Sequence, residues 1–235
     1  MLLSSILCSL SIQFCFSQTV EVLKTNNKKD LPIATDFAFI EQKTDSLNYS
    51  LVSTYKVFGK KKQGSVTDLF FLIAAKAKKD GANCFKLNYF NRNDSLEETT
   101  LILDTYFWTD SIRNINFDNH EQNCIYIFGE ERSNEYSSIS FKIDNEKKEI
   151  EAGTYYKYLR TPGKKVKINK GGITGMTVFY TLEGNKPDIF LTLTGFGLGG
   201  PMPSDIIGVS INTGRINTIQ GDLGNLLKVL LTQSN

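Results

Sequence analysis

Ser65-Val66-Thr67-Asp68-Leu69-Phe70-Phe71-Leu72-Ile73-Ala74-Ala75-Lys76-Ala77-Lys78-Lys79-Asp80-Gly81 carries its own start, apolar face and stop. Ser65 is an N-cap residue, and Asp68 stands three positions on in a capping-box arrangement. Val66, Leu69, Phe70, Ile73, Ala74 and Ala77 recur at three- and four-residue steps and form one apolar stripe. Lys76, Lys78 and Lys79 gather in the last turn, where cations complement the helix dipole. Gly81 supplies the left-handed position that ends it. This helix needs a sheet to cover.

The flanks supply one. Thr19–Leu23, Phe37–Ile40 and Leu51–Phe58 read as strands before it, the last ended by Gly59. After it, Phe85, Leu87 and Tyr89 alternate with Lys86 and Asn88, and Thr99–Trp108 forms a long strand. Strands, one helix and two strands predict an α+β N-terminal domain over residues 18–110. Residues 111–121 are polar and turn-rich and read as a linker. From Asn123 on, short strands recur with turn chemistry between them: Cys124–Phe128, Ile139–Ile143, Tyr155–Arg160, Val166–Ile168, Met176–Leu182, Ile189–Leu193, Ile207–Ile211 and Arg215–Ile219. This spacing predicts an all-β sandwich over residues 122–220. Leu223, Leu226, Leu227 and Leu230 then lie on one face of a C-terminal helix, read as a cap packed on the sandwich, with the tail completing residues 221–235.

The first seventeen residues differ from all of this. Leu2–Phe16 is apolar, and the first charged side chain is Glu21. The stretch is long enough for a signal-peptide core and shorter than the roughly 20 residues of a membrane-spanning helix. Cys15 and Ser17 put small side chains at −3 and −1 of a cut after Ser17. The n-region has no Lys or Arg, unlike an ordinary signal. Neither Cys8 nor Cys15 has lipid-anchor neighbours, because Leu7 and Phe14 precede them. The expectation is a signal peptide over residues 1–17 and export to the periplasm or beyond, in association with the outer membrane or free of it, with no transmembrane helix in the mature chain.

Composition excludes more than it nominates. The formal net charge of +2 argues against nucleic acid as a partner. An envelope protein or polymer is the partner class that export implies. Cys84 and Cys124 survive processing and have two readings, a disulfide clamp or a pair of buried free thiols, the second preferred. Gly195-Phe196-Gly197-Leu198-Gly199-Gly200 has dinucleotide-site spacing, but Pro201-Met202-Pro203 follows where a helix should begin. Gly195, Gly197, Gly199 and Gly200 are therefore read as a candidate contact loop. His120 is the single histidine, which leaves poor material for a zinc site or for a Ser/His/Asp hydrolase. Lys164, Lys165, Lys167 and Lys170 read as the guard of an open strand edge, with contact to an anionic polymer as the alternative. No catalytic residue, cofactor-binding residue or metal ligand is nominated.

Two segments carry a resemblance. Ala75–Asn83, a helix ending in Gly81-Ala82-Asn83 before a strand, resembles the helix-to-strand turn of small bacterial envelope domains, some of them described as heavy-metal-binding and others as stress-sensing lipoproteins. Ile139–Ile143 followed by Ala152-Gly153-Thr154-Tyr155 and Thr161-Pro162-Gly163-Lys164 resembles a β-sandwich domain of unknown function in Gram-negative envelope lipoproteins. The chain departs from that pattern in lacking a lipobox and in having Asp188-Ile189-Phe190 in place of an aromatic strand. The resemblance implies an envelope module and transfers no catalytic residue. The function that follows is non-catalytic binding or scaffolding in the envelope. The alternatives are a small-ligand or metal-binding sensor and a carboxylate-dependent hydrolase of an envelope polymer. N-terminal sequencing of the fractionated protein is expected to begin at Gln18; a cytoplasmic product retaining Met1 would overturn export.

Overall fold

The computed structural model describes residues 18–26, 31–42, 44, 49–60, 64–131, 138–171, 175–181, 184, 186–193 and 215–234. Residues 1–17, where a signal peptide is expected, the strand expected at Ile207–Ile211 and the candidate contact loop at Gly195–Gly200 lie outside them. Within them the chain is β-rich, with three helices, one of them C-terminal.

The first sheet holds β1 (Val20–Thr25), β2 (Ala38–Phe39), β3 (Ser50–Lys60), β4 (Cys84–Asn93) and β5 (Glu98–Phe107) in the order β1-β3-β5-β4-β2. All pairs are antiparallel except β2 with β4. Helix α1 (Val66–Lys79) forms where its caps place it: the Ser65 hydroxyl accepts from Asp68 N at 3.0 Å, and Gly81 is left-handed at φ +87°. Its apolar stripe is buried against this sheet. At its far end Tyr55 of β3 donates a hydrogen bond to the Asp80 carboxylate, which also receives Lys76. Burial and the Asp80 bond push the Tyr55 hydroxyl well above its usual range.

Helix α2 (Asp110–Asn119) stands where the sequence predicts a linker. Its polarity misleads because Asn116 is its one fully buried residue, with Ile112 packing partly buried against Ile40, Cys84, Tyr106 and Trp108.

The remaining strands are β6 (Cys124–Phe128), β7 (Ser138–Ile143), β8 (Glu146–Glu151), β9 (Thr154–Leu159), β10 (Lys165–Lys170), β11 (Met176–Thr181), β12 (Ile189–Thr192), β13 (Asn217–Thr218) and β14 (Thr232–Gln233). They form two sheets, β11-β10-β7-β8 and β13-β12-β6-β9-β14. Pro162-Gly163 carries the chain from β9 in one of these sheets to β10 in the other. Strand β8 is not among the strands the sequence predicts; Asp144 and Asn145, both left-handed at φ 49° and 73°, make the two-residue turn that pairs it with β7. The lysine-rich β10 is not an edge. It lies between β11 and β7, so guarding an open edge is not its role. Lys164 instead pairs with Asp144 at 3.2 Å, and Lys165 covers the Phe179 ring.

Strand β6 is buried along its whole length. Alternation divides it: Ile125 and Ile127 join Phe141, Ile143, Ile150, Val166, Ile168 and Leu191 between the two sheets. Cys124, Tyr126 and Phe128 face the other way, into a larger core with Phe39, Phe70, Phe85, Leu103 and the leucines of helix α3 (Gly221–Leu230). This larger core takes side chains from both sides of residues 111–121. Beyond β6, Glu131 ties the same junction with polar contacts. Its carboxylate receives Val66 N at 2.7 Å at the start of α1 and pairs with Arg92 of β4. The two charged side chains are only 12% and 8% exposed, a burial tolerable only for a paired ion.

Helix α3 touches the sheet through a glycine. A Cβ at Gly224 would come within 2.2 Å of the Phe190 ring, whereas one at Gly221 would meet nothing within 4 Å. Alanine normally improves a helix over glycine by about 1 kcal/mol. At Gly224 the clash should reverse the sign: Gly224→Ala is expected to lose roughly 1–3 kcal/mol in denaturant melts. Gly221→Ala is expected to be neutral or to gain up to about 1 kcal/mol.

Candidate functional site

A recess opens where α2, the approach to β2, the start of β12 and the N-terminus of α3 meet. It is a cleft of about 360 Å³, and a smaller recess of about 190 Å³ adjoins it, sharing Asp36, Trp108 and Arg113. The larger volume lies at the lower end of small-ligand sites.

Gly81 and Asn83 of the Gly81-Ala82-Asn83 turn line the smaller recess and position the wall it shares with the larger. Gly81 lies so close to Leu31 that a Cβ there would approach the Leu31 Cβ to 2.3 Å. Asn83 extends the sheet with its side chain: Asn83 Nδ2 donates to Trp108 O at 2.9 Å, and Trp108 N donates to Asn83 Oδ1 at 2.9 Å. This fixes Trp108, the chain's one tryptophan, in the cleft wall. Asn83 O also receives Ala38 N at 2.9 Å, setting the start of β2 beside it.

Helix α2 forms the second wall through polar ties. Arg113 pairs with Asp36 at 2.6 Å. Asn116 Nδ2 donates to Phe39 O at 2.9 Å and lies 2.9 Å from His120 Nε2. His120 Nδ1 stands 2.9 Å from Glu41. His120 is thus drawn into the cleft, holding the end of α2 to the strand below.

Two carboxylates complete the site. Asp188 receives Cys124 N at 2.9 Å and so anchors the start of β6; Asp222, in the first turn of α3, receives Phe39 N at 2.9 Å and ties that helix to β2. Desolvation raises the pKa of both, against the lowering effect of the backbone bonds. Glu121 goes the other way. Burial opposes its ionisation, but hydrogen bonds from Lys157 and Tyr126 outweigh this and hold its carboxyl below the usual range.

The cysteines do not meet. Cys84 and Cys124 are both buried free thiols in this structure. Cys84 donates to Tyr106 O at 3.4 Å and packs with Ile40, Tyr106 and Trp108, whereas Cys124 lies in the large core. Burial raises both thiols, that of Cys124 to about 11 with help from the Asp188 and Glu121 charges. Neither is a reactive thiolate at neutral pH. No group of three or more His, Cys, Asp or Glu among the described residues could hold a metal ion, and no helix there is long and apolar enough to cross a membrane.

Sequence reasoning did not nominate Asn116, Asp188 or Asp222 as site residues. Asp188 follows a proline before a strand and Asp222 opens a helix, which are signals of structure rather than of a site. No protein-family model, curated protein or solved structure matches the chain, so the cleft is read from its own residues.

The raised Asp222 pKa makes a signed prediction. A carboxylate whose folded pKa exceeds its unfolded one costs stability when ionised, and that cost fades as pH falls through the folded pKa. Asp222→Asn keeps an acceptor for Phe39 N and removes the charge. Denaturant melts should show the variant more stable than the parent at neutral pH, with the gap closing in acid.

Proposed function

We propose that the chain is an exported, non-catalytic binding or scaffolding protein of the bacterial envelope. In this reading an α+β unit and a β-sandwich capped by a C-terminal helix together form the binding cleft. Export rests on the charge-free apolar run Leu2–Phe16 with small residues ahead of Gln18. The envelope assignment rests on the resemblance of residues 139–168 to envelope modules.

One observation carries binding over catalysis: each carboxylate of the cleft has at least one oxygen tied to the fold, which fixes its position. Asp188 holds Cys124 N, Asp222 holds Phe39 N, Glu121 holds Tyr126 and Lys157, and Asp36 holds Arg113. A paired-carboxylate hydrolase needs one acid and one base free to exchange protons with substrate. Small-ligand sensing shares the same cleft, and its volume suits a small molecule or one protein side chain. Phe117, 48% exposed on α2, offers an apolar contact at the rim.

Gly221 lines the cleft with open space before it. Gly221→Phe should fill the cleft without disturbing the backbone. Immobilised parent protein is expected to retain a component of envelope extract that the Gly221→Phe variant loses by roughly tenfold or more, with both proteins melting alike. Equal retention by the two would overturn the cleft as the binding site.

A further inference from the structure

The chemistry of the cleft selects its ligand. Its titratable lining is mostly acidic: Asp36, Glu121, Asp188 and Asp222 against Arg113 and His120. Two of these charges are already answered locally, Asp36 by Arg113 and Glu121 by Lys157. Asp188 and Asp222 have no ion-pair partner within 4 Å among the described residues. Each accepts one backbone N–H, and Asp188 Oδ2 is buried without a hydrogen bond.

An independent observation points the same way. Asn116 is 2% exposed and lines the cleft, yet its Oδ1 has no partner. Its amide nitrogen is engaged by Phe39 O, which leaves the carbonyl as the idle end. A buried acceptor left without a donor costs about 1–3 kcal/mol, and structures rarely retain one without use. Two carboxylates without an ion pair and the idle Asn116 carbonyl in one recess call for a ligand that brings both positive charge and N–H donors. An anion would meet Asp188 and Asp222 head on.

We propose that the cleft binds the ammonium or guanidinium group of an organic cation, received by Asp188, Asp222 and Asn116. This rests on the binding reading above and names its ligand class. The cation is either a free amine or the side chain of a basic peptide; the recognition chemistry is the same. Trp108 and Phe117 supply aromatic surface in the same recess, suited to an alkyl stem or to a guanidinium plane.

Trp108 also supplies the readout, because the full chain has no other tryptophan. Its fluorescence is titrated with agmatine, with a short Arg-Lys peptide amide, with the doubly acetylated diamine putrescine as an uncharged control, and with glutarate as an anion. Agmatine, the peptide or both should saturate, weakening with salt, while the uncharged and anionic probes should not. Saturation by agmatine assigns a free amine, and saturation by the peptide alone assigns a protein side chain. Asp188→Asn keeps an acceptor for Cys124 N and should weaken binding roughly tenfold or more. Arg113→Gln frees Asp36 and should strengthen binding a few-fold, a gain that no merely structural role produces. Thermal melts confirm that each variant is folded. Glutarate saturating in place of the cations would overturn the ligand class while leaving the cleft a binding site. Cation binding indifferent to both variants would place the cation elsewhere and overturn the proposal. Silence from every probe, together with equal retention by the Gly221→Phe variant, would remove the binding reading as well.

Discussion

Strand β6, five residues with no solvent-facing side, is the constraint on which the rest depends. Strands have a side-chain period of two, so one buried strand serves two cores at once. Ile125 and Ile127 fill the space between the two later sheets, while Cys124, Tyr126 and Phe128 join the core that reaches to α1 and α3. A one-residue slip would exchange the two sets and misfit both cores together. The register is fixed from outside the strand by Asp188 at Cys124 N, and beyond its end by Glu131 at Arg92 and Val66. Charged groups are thus spent where the apolar pattern alone leaves position free.

The cleft follows from how the layers fail to close. Helix α2 contributes one buried residue, and that residue is an asparagine. A helix with so little apolar surface cannot seal a seam by hydrophobic burial, so hydrogen bonds and ion pairs to Asp36, Phe39 and Glu41 hold it. Each contributes on the order of 1 kcal/mol or less. The space beneath is left partly polar and open.

Legibility in the sequence tracked locality. Helix α1 could be read at both ends because its caps and its stripe lie within one continuous segment, and α3 showed its leucine face for the same reason. Helix α2 could not, since its inward face is Ile112 and the polar Asn116, while its apolar Ile115 and Phe117 face outward. Strand β8 hid behind Glu and Lys, though Asp144-Asn145 before it is the hairpin signal that would have disclosed it. Strand order was beyond reach for another reason. The parallel pairs β2/β4, β6/β12 and β9/β14 join segments far apart in the chain, and nothing local encodes such pairings. The same separation scattered the site: Trp108, Asn116, Asp188 and Asp222 each read as ordinary turn or terminus residues until the layers brought them to one recess.

The double burial of β6 also has a price during synthesis. Cys124-Ile125-Tyr126-Ile127-Phe128 has high strand propensity, no charge and no proline, which are the features of a self-adhesive segment. Its flanking partners β9 and β12 both lie later in the chain, so a growing polypeptide presents two open edges and two sticky faces until they arrive. Glu121 before it and Glu130-Glu131 after it stand as gatekeepers at either end. The acid that locks β6 to the first sheet in the finished fold is then also part of what keeps unfinished chains apart.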